Sequence, residues 1–176
     1  MSFETENGFR VLKGDQITTT SDGGPFQPGE EVIHKGGSNF AQRAKCQWVR
    51  LDNNGCSQGE VLVADLGTTV GYGVAKAATT DEGAPMRGIA AATIASNDYG
   101  FMIYAGWCEK ADLSHTAASG EYLCISGSTA GKLTPNKASV FNLGTQGNAS
   151  QLGVVAVART AIATGVGSVQ ILSYWG

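Results

Sequence analysis

Residues 46–64 read CQWVRLDNNGCSQGEVLVA and carry the clearest structural signal in the chain. Apolar and polar side chains alternate over 47–51, and an apolar run resumes over 61–64. Between them lies DNNG at 52–55, and Asn-Gly and Asp-rich tetrapeptides favour tight turns. The stretch therefore predicts two strands joined as a β-hairpin.

Segments of the same kind recur on the C-terminal side of this hairpin. Each is a short apolar run, mostly bounded by Gly, Asn, Asp or Ser, and the predicted strands are 72–77, 86–92, 99–107, 122–126, 154–158 and 166–175. Such spacing is typical of sandwiches and barrels. The predicted fold is mainly β: a compact β-sandwich or barrel of short antiparallel strands with an extended N-terminal arm.

Three segments, at 83–89, 118–125 and 163–171, each place an apolar strand directly after a glycine turn. Their spacing is uneven, so they do not form a repeat array. They do suggest a fold built from similar hairpins. Two alanine-rich stretches, 90–95 and 156–163, are predicted as strand or turn, with room for one helical turn in each.

The first 42 residues differ from the rest because TTTSDGGP at 18–25 and KGGS at 35–38 interrupt any period. We predict an extended N-terminal arm over 1–42 and a β domain over 43–176. The alternative is a loose tail, but scattered apolar residues favour an arm that orders on a partner or a neighbouring subunit. We expect the domain to stay folded without residues 1–40. Four aromatic side chains are the candidate capsid or subunit contacts: Phe3, Phe9, Phe26 and Phe40.

Composition excludes several classes of protein. The chain is 42% hydrophobic and has a formal net charge of −3, which is incompatible with intrinsic disorder. Its 12 Lys and Arg residues form no dense run, so we expect no nucleic-acid partner. Residues 1–20 lack the apolar core of a secretory signal, and no stretch approaches the roughly 18 apolar residues of a membrane span. We expect no membrane partner, synthesis in the cytoplasm and reduced cysteines.

No constellation of catalytic or metal-binding residues emerges. The stretch 127–132 resembles a phosphate loop, but its glycines are one residue too close and Leu133 replaces the magnesium-binding hydroxyl. DLSH at 112–115 contains residue types of a catalytic triad only as sequence neighbours, and triads are assembled from separate segments. No cysteine or histidine has zinc-ligand spacing. We therefore expect no enzyme activity, no cofactor and no metal.

The predicted strand 99–107 is apolar on both faces, because Phe101, Ile103 and Trp107 alternate with Met102 and Tyr104. Two explanations stay open. The strand is buried on both sides in a sandwich core, or one face is a subunit interface, where aromatic residues are enriched.

Three pairs of segments carry a resemblance to a known group of proteins: VRLDNNG at 49–55 with GEVLV at 59–63, RGIA at 87–90 with IASNDYGF at 94–101, and ASGEYL at 118–123 with GVVA at 153–156. The series resembles small virion proteins of tailed bacteriophages, in particular capsid decoration (cement) proteins and related head-fibre or tail-fibre modules. It covers residues 46–176.

The resemblance implies a β-rich virion protein, often a homotrimer, on the outside of the capsid. Its expected function is to stabilise the shell by bridging major capsid subunits, and its expected partners are further copies of itself and the major capsid protein. Low charge agrees, because it suggests surface hidden by association. The alternative is a tail-fibre or receptor-binding module that contacts host-surface sugar.

Overall fold

The structure is a computed structural model that describes residues 4–21, 25–36, 44–65, 72–81, 86–135 and 155–172. The chain is mainly β, as predicted. Two short 3₁₀ turns, Gly14–Thr18 and Thr79–Asp81, accompany thirteen strands among these residues. The strands are β1 Glu4–Glu6, β2 Phe9–Leu12, β3 Thr20–Ser21, β4 Glu31–His34, β5 Ala44–Leu51, β6 Val61–Ala64, β7 Gly73–Lys76, β8 Met86–Ala90, β9 Tyr99–Leu113, β10 Tyr122–Ile125, β11 Leu133–Pro135, β12 Ala156–Ala158 and β13 Gly165–Ile171.

Five consecutive strands close into a ring, which we call the first barrel. β5 pairs in parallel with β7, β7 pairs with β6, β6 with β8 and β8 with β9, and β9 returns to β5. All pairings except the first are antiparallel. Closure leaves these strands without a free edge inside the ring, which removes the usual site of edge-to-edge association.

Strands β9 to β13 repeat this order as a second barrel. β9 pairs in parallel with β11, β11 pairs with β10, β10 with β12 and β12 with β13, and β13 returns to β9. β9 is therefore the last strand of the first barrel and the first strand of the second. It runs for 15 residues, far longer than the strands predicted from sequence.

The two barrels agree in register as well as in order. In the first, Leu62 faces Lys76 and Val61 faces Ile89; in the second, Leu123 faces Pro135 and Tyr122 faces Val157. A detached bridge also recurs, between Cys56 and Ile94 in one and between Ala117 and Ile162 in the other. The chain is thus an internal duplication in which one strand is shared.

The barrel interiors correspond residue by residue. One buried cluster contains eight side chains, contributed by every strand of the first barrel and by its detached bridge. The equivalent positions of the second barrel are also buried and belong to the larger core cluster. The pairs are Val49 and Ala111, Leu51 and Leu113, Cys56 and Ala117, Leu62 and Leu123, Val74 and Leu133, Ala90 and Ala158, Ile94 and Ile162, and Met102 and Val169.

One turn is used three times, before β4, β6 and β10. In each copy a glutamate accepts a hydrogen bond through its side chain from the backbone amide three residues earlier, over 2.7–3.0 Å. The preceding glycine donates its amide to a neighbouring strand, from which an amide returns to the glutamate carbonyl. The glycines have φ between 81° and 88°, a conformation that side chains disfavour. The turns are Gln27–Glu30, Ser57–Glu60 and Ala118–Glu121.

Gly59 and Gly120 occupy the same position in two of these turns, so substituting each separates the cost of backbone strain from the cost of steric crowding around an added Cβ. A Cβ on Gly59 would lie 2.2 Å from the carbonyl oxygen of Lys110, whereas one on Gly120 would meet nothing within 4 Å. We expect Gly120→Ala to lower the free energy of unfolding by about 1–2 kcal/mol through its positive φ alone. Gly59→Ala should cost about 1–3 kcal/mol more, because backbone must move. Urea denaturation of both variants measures the difference, and equal losses would contradict it.

The predicted hairpin is wrong. β5 and β6 do not pair with each other; β7 lies between them, and the connection over 52–60 holds the bridge at Cys56 and the turn at Gly59. The DNNG stretch does turn, with Asp52 accepting hydrogen bonds from the amide and side chain of Asn54. Similar strands after glycine turns do recur, and each barrel contains two hairpins of consecutive antiparallel strands: β6–β7 and β8–β9 in the first, β10–β11 and β12–β13 in the second. Among the described residues, three strand pairs are parallel.

The described part of the predicted arm, residues 4–36 with a gap at 22–24, contributes to the same sheet. β4 pairs with β5, and β3 pairs with β9. Side chains on both sides of residue 42 share one core, including Leu12, Ile17 and Val32 with Trp48. The boundary at residue 42 stays a prediction, although the core it divides is continuous.

A loop of the second barrel also joins it to the first. The Gly131 amide donates to the carbonyl of Ala77, and the Val61 amide donates to the carbonyl of Gly131, both over 2.8 Å. This loop is the stretch 127–132 that resembles a phosphate loop, and here it connects the barrels. Gly106 lies inside β9 with φ of 96°, where pairing with β5 ends and pairing with β13 begins.

Candidate functional site

Among the described residues, no group of three or more His, Cys, Asp or Glu side chains is arranged to hold a metal ion. In the DLSH stretch, the Ser114 hydroxyl and His115 Nδ1 lie 2.9 Å apart, while the Asp112 carboxylate is 3.2 Å from Lys132 Nζ. Asp112 therefore forms an ion pair with Lys132. Within the described ranges, no helix is long and apolar enough to cross a membrane.

The four cysteines are buried and unpaired with each other. Burial raises the pKa of the Cys56 thiol to about 11, and it also raises the pKa of Cys46 and Cys108. A raised pKa means that the unfolded chain loses these protons first as pH rises. The thiols therefore stabilise the fold fully below the unfolded pKa, and that contribution is lost above it.

We accordingly expect the free energy of unfolding to fall as pH rises from about 8.5 to 11. Urea titrations at pH 7, 9 and 10.5 measure the slope. Cys56→Ala serves as the matched variant, because it removes one of the groups and should flatten the decline. An unchanged slope in that variant would contradict a role for Cys56.

The four predicted contact residues fall in different settings. Phe26 is 5% exposed, and its ring lies 5.2 Å from Trp48 and 4.8 Å from Phe101, measured between ring centroids. Phe9 is half-buried in β2, opposite Glu6. Phe3 and Phe40 lie outside the described residues. The structure thus places Phe26 in the core and Phe9 at a half-buried position of β2.

The outer surface of the first barrel contains a row of four paired residues that we call the covered row: Cys46, Ile103, Ile89 and Val61. All four are 0% exposed. They belong to the same buried cluster as Leu12, Ile17 and Phe26 of the N-terminal segment. The described N-terminal strands flank this surface through β4 on β5 and β3 on β9.

The equivalent row of the second barrel is partly exposed to solvent. It consists of Trp107, Gln170, Val157 and Tyr122, paired in that order across β9, β13, β12 and β10, and we call it the open row. Tyr122 is 56% exposed and the other three are half-buried. Val166 on β13 is 63% exposed, whereas its counterpart Tyr99 stacks on Trp48.

Contacts within the second barrel hold one end of the open row in place. The Trp107 indole donates a hydrogen bond of 2.6 Å to the Ser168 hydroxyl. The Arg159 guanidinium lies over the same ring, 3.5 Å from its centroid, a distance that gives a favourable cation–π contact. An aromatic surface that is fixed before a partner arrives loses little side-chain entropy on binding.

A pocket of about 230 Å³ lies where the interior of the first barrel reaches the surface. β5 has β7 as a neighbour at residues 50–51 but β4 at residues 44–47, so the ring opens at this end. Pairing places Met102, Gln47 and Glu31 side by side across β9, β5 and β4. Arg87 and Tyr104 complete the lining. We call this the mouth pocket.

The mouth pocket is lined by both hydrogen-bond donors and hydrogen-bond acceptors. Burial, together with the neighbouring carboxylate of Glu31 and a hydrogen bond to it, raises the pKa of the Tyr104 phenol. The phenol therefore stays protonated and donates to Glu31. The Gln47 amide nitrogen donates to the carbonyl of Gly29 at 3.3 Å, which leaves its carbonyl oxygen as an acceptor.

Comparison with solved structures finds a likeness to the N-terminal base of the head fibre protein gp8.5 of bacteriophage phi29. The TM-score is 0.52 at 14% sequence identity, and the match covers 72% of this chain and 92% of that chain. The likeness is one of fold. No protein-family model matches the sequence, and a search of curated proteins finds no match.

Proposed function

We propose that the chain is a structural protein of a phage virion, of the head-fibre or decoration type, that binds the outer surface of the capsid. The observation that carries the proposal is the fold, because the similar structure is the base of a phage head fibre and the similarity extends over 92% of that base. The sequence segments at 49–63, 87–101 and 118–156 support the same group of proteins independently.

In this proposal the protein has no enzymatic activity and stabilises the shell by bridging major capsid subunits. A protein that binds the assembled lattice and not its separated subunits favours the lattice by RT ln(1 + [L]/Kd). At a free concentration 100 times Kd the gain is about 2.7 kcal/mol for each site. Occupied sites would therefore delay loss of the shell under heat or chelator stress.

The open row is the surface we assign to the shell. The covered row, its counterpart in the first barrel, is buried in one cluster with apolar and aromatic side chains of the chain itself. We infer that the open row can be buried in the same way by apolar and aromatic side chains of a partner. Tyr122 and Trp107 supply the aromatic side chains that are enriched in interface cores. The Arg159 guanidinium, which lies over the Trp107 ring, adds one positive charge at this end of the row.

Sedimentation with purified capsids tests this surface. We expect Tyr122→Arg to reduce binding at least about tenfold, because a buried unpaired charge at an interface costs well over 1.4 kcal/mol. Tyr72→Arg is the matched control, since Tyr72 is 57% exposed and directly precedes β7 of the first barrel. Equal binding by both variants would remove the open row from the contact.

Electron cryo-microscopy of virions tests the location. Density for this chain on the head supports the proposal, and density confined to the tail tip overturns it in favour of a tail-fibre or receptor-binding module. We also propose a homotrimer, for which sedimentation equilibrium at micromolar concentration gives the subunit number. A monomer that binds capsids would exclude the trimer and leave shell binding intact.

A further inference from the structure

We propose that the mouth pocket of the first barrel binds one uncharged sugar unit. This site is separate from the open row and does not depend on the virion role proposed above. It rests on the size of the pocket, on its chemistry and on comparison with the same place in the second barrel.

Because the chain is an internal duplication, the second barrel shows which residues occupy the position of the mouth pocket when that position is filled by the core. Gln47 corresponds to Cys108, because each faces the equivalent interior residue, Met102 or Val169. Tyr104 corresponds to Ile171, because each lies two residues after that interior residue on its own strand. Cys108 is 0% exposed and Ile171 is 2% exposed, so the second barrel is plugged here by apolar side chains.

The first barrel has polar side chains instead. Gln47 and Tyr104 are half-buried, and Glu31 and Arg87 at the rim are exposed. Glu31 comes from β4, which lies alongside β5 at the point where the ring opens. Apolar side chains fill this place in the second barrel, whereas polar side chains line an open pocket at the same place in the first barrel. This difference favours a ligand-binding role for the pocket, because packing alone would be served by apolar side chains.

The chemistry of the lining selects the class of molecule. The lining contains one carboxylate, on Glu31, and one guanidinium, on Arg87, so its formal charge is zero. Glu31 would repel a bound anion, and Arg87 would repel a bound cation. Donors and acceptors are both present, through Arg87 and through the oxygens of Glu31 and Gln47, and this suits hydroxyl groups, which donate and accept. The Tyr104 ring and Met102 thioether supply the apolar surface that sugar C–H groups contact.

Size limits the molecule to a small one. Pockets for drug-sized ligands have volumes of about 300–1,000 Å³, and this pocket, at about 230 Å³, lies below that range. It suits one ring of a sugar, with neighbouring units of a longer glycan outside in solvent. The exposed Glu31 and Arg87 lie where those units would enter.

Saturation-transfer difference NMR with the full chain tests the proposal. The probes are the methyl glycosides of glucose, galactose, N-acetylglucosamine and rhamnose, each at millimolar concentration, with methyl phosphate and tetramethylammonium as charged comparisons. We expect at least one glycoside to receive saturation from the protein, and neither charged probe to do so. Absence of transfer to every glycoside, or transfer to a charged probe alone, overturns the proposal.

Two rim variants give the affinity readout. Arg87→Met and Glu31→Gln should each weaken glycoside binding about tenfold, because each removes a charge-assisted hydrogen bond. Glu109→Gln, also a strand carboxylate but outside the pocket, is the matched control and should bind as the parent protein does. Circular dichroism verifies the fold of each variant. Rim variants that bind with the parent affinity overturn the assignment to this pocket.

Discussion

Replacing Phe26 with alanine is expected to lower the free energy of unfolding of the isolated protein by about 3–5 kcal/mol. The ring packs against Trp48 and Phe101 at centroid distances near 5 Å, and it is almost entirely removed from solvent. Its loss opens a cavity between the N-terminal segment and the first barrel. Guanidinium denaturation followed by tryptophan fluorescence measures the loss.

Phe9→Ala is the matched control, because Phe9 lies in the same segment and is only half-buried. We expect a cost of about 1 kcal/mol or less. The pair distinguishes a core role from a partner contact. If Phe26→Ala leaves stability unchanged and weakens only capsid binding, then the N-terminal segment acts as an arm.

Removing residues 1–40 extends this prediction. From sequence alone the remaining domain was expected to stay folded. The deletion takes away β4, the neighbour of β5, and uncovers Trp48 and Phe101. We now expect the truncated chain to be insoluble or to unfold without cooperativity, and a soluble fragment with a sharp thermal transition would restore the expectation from sequence.

Leu113→Ala should destabilise both barrels, although its side chain lies inside only the second. Leu113 is 0% exposed at the end of β9 and pairs with both Leu133 and Gly165. We expect a loss of about 2–5 kcal/mol. Because β9 is a wall of both rings, the first barrel cannot stay closed when the second opens.

Amide hydrogen exchange at two equivalent positions tests this coupling. Ala90 donates to Glu60 in the first barrel and Ala158 donates to Glu121 in the second, each over 2.9 Å. In Leu113→Ala both amides should exchange faster by the same factor, about thirtyfold or more. Faster exchange at Ala158 alone would show that the barrels unfold separately. Leu51→Ala, the equivalent change in the first barrel, is the reciprocal control.

Local sequence was sufficient to predict most of the strands after β5, with β11 and the second half of β9 as exceptions, because alternation and glycine boundaries are local properties. It was insufficient for their partners. The turn signal at 52–55 is genuine, yet the strands on either side of it pair elsewhere, because ring closure through β9 is decided by contacts far apart in sequence. β11, with three residues, is too short to produce a pattern.

A signal for the duplication was nevertheless present in the sequence. It contains three Gly-Glu dipeptides, at 29–30, 59–60 and 120–121, and a strand follows each one. Two of them lie within the segments that carry the resemblance to phage proteins. The mouth pocket had no such signal, because Glu31, Gln47, Arg87 and Tyr104 come from four strands and adjoin only once register is known.

The shared strand also bears on how such proteins change over generations. Modules that are joined by linkers can be exchanged by recombination between genes, since each keeps its own core. Here any crossover that removes one barrel also removes strand β9 from the other barrel. We expect the truncated protein to misfold and to be degraded. We therefore expect the pair of barrels to be inherited as one unit.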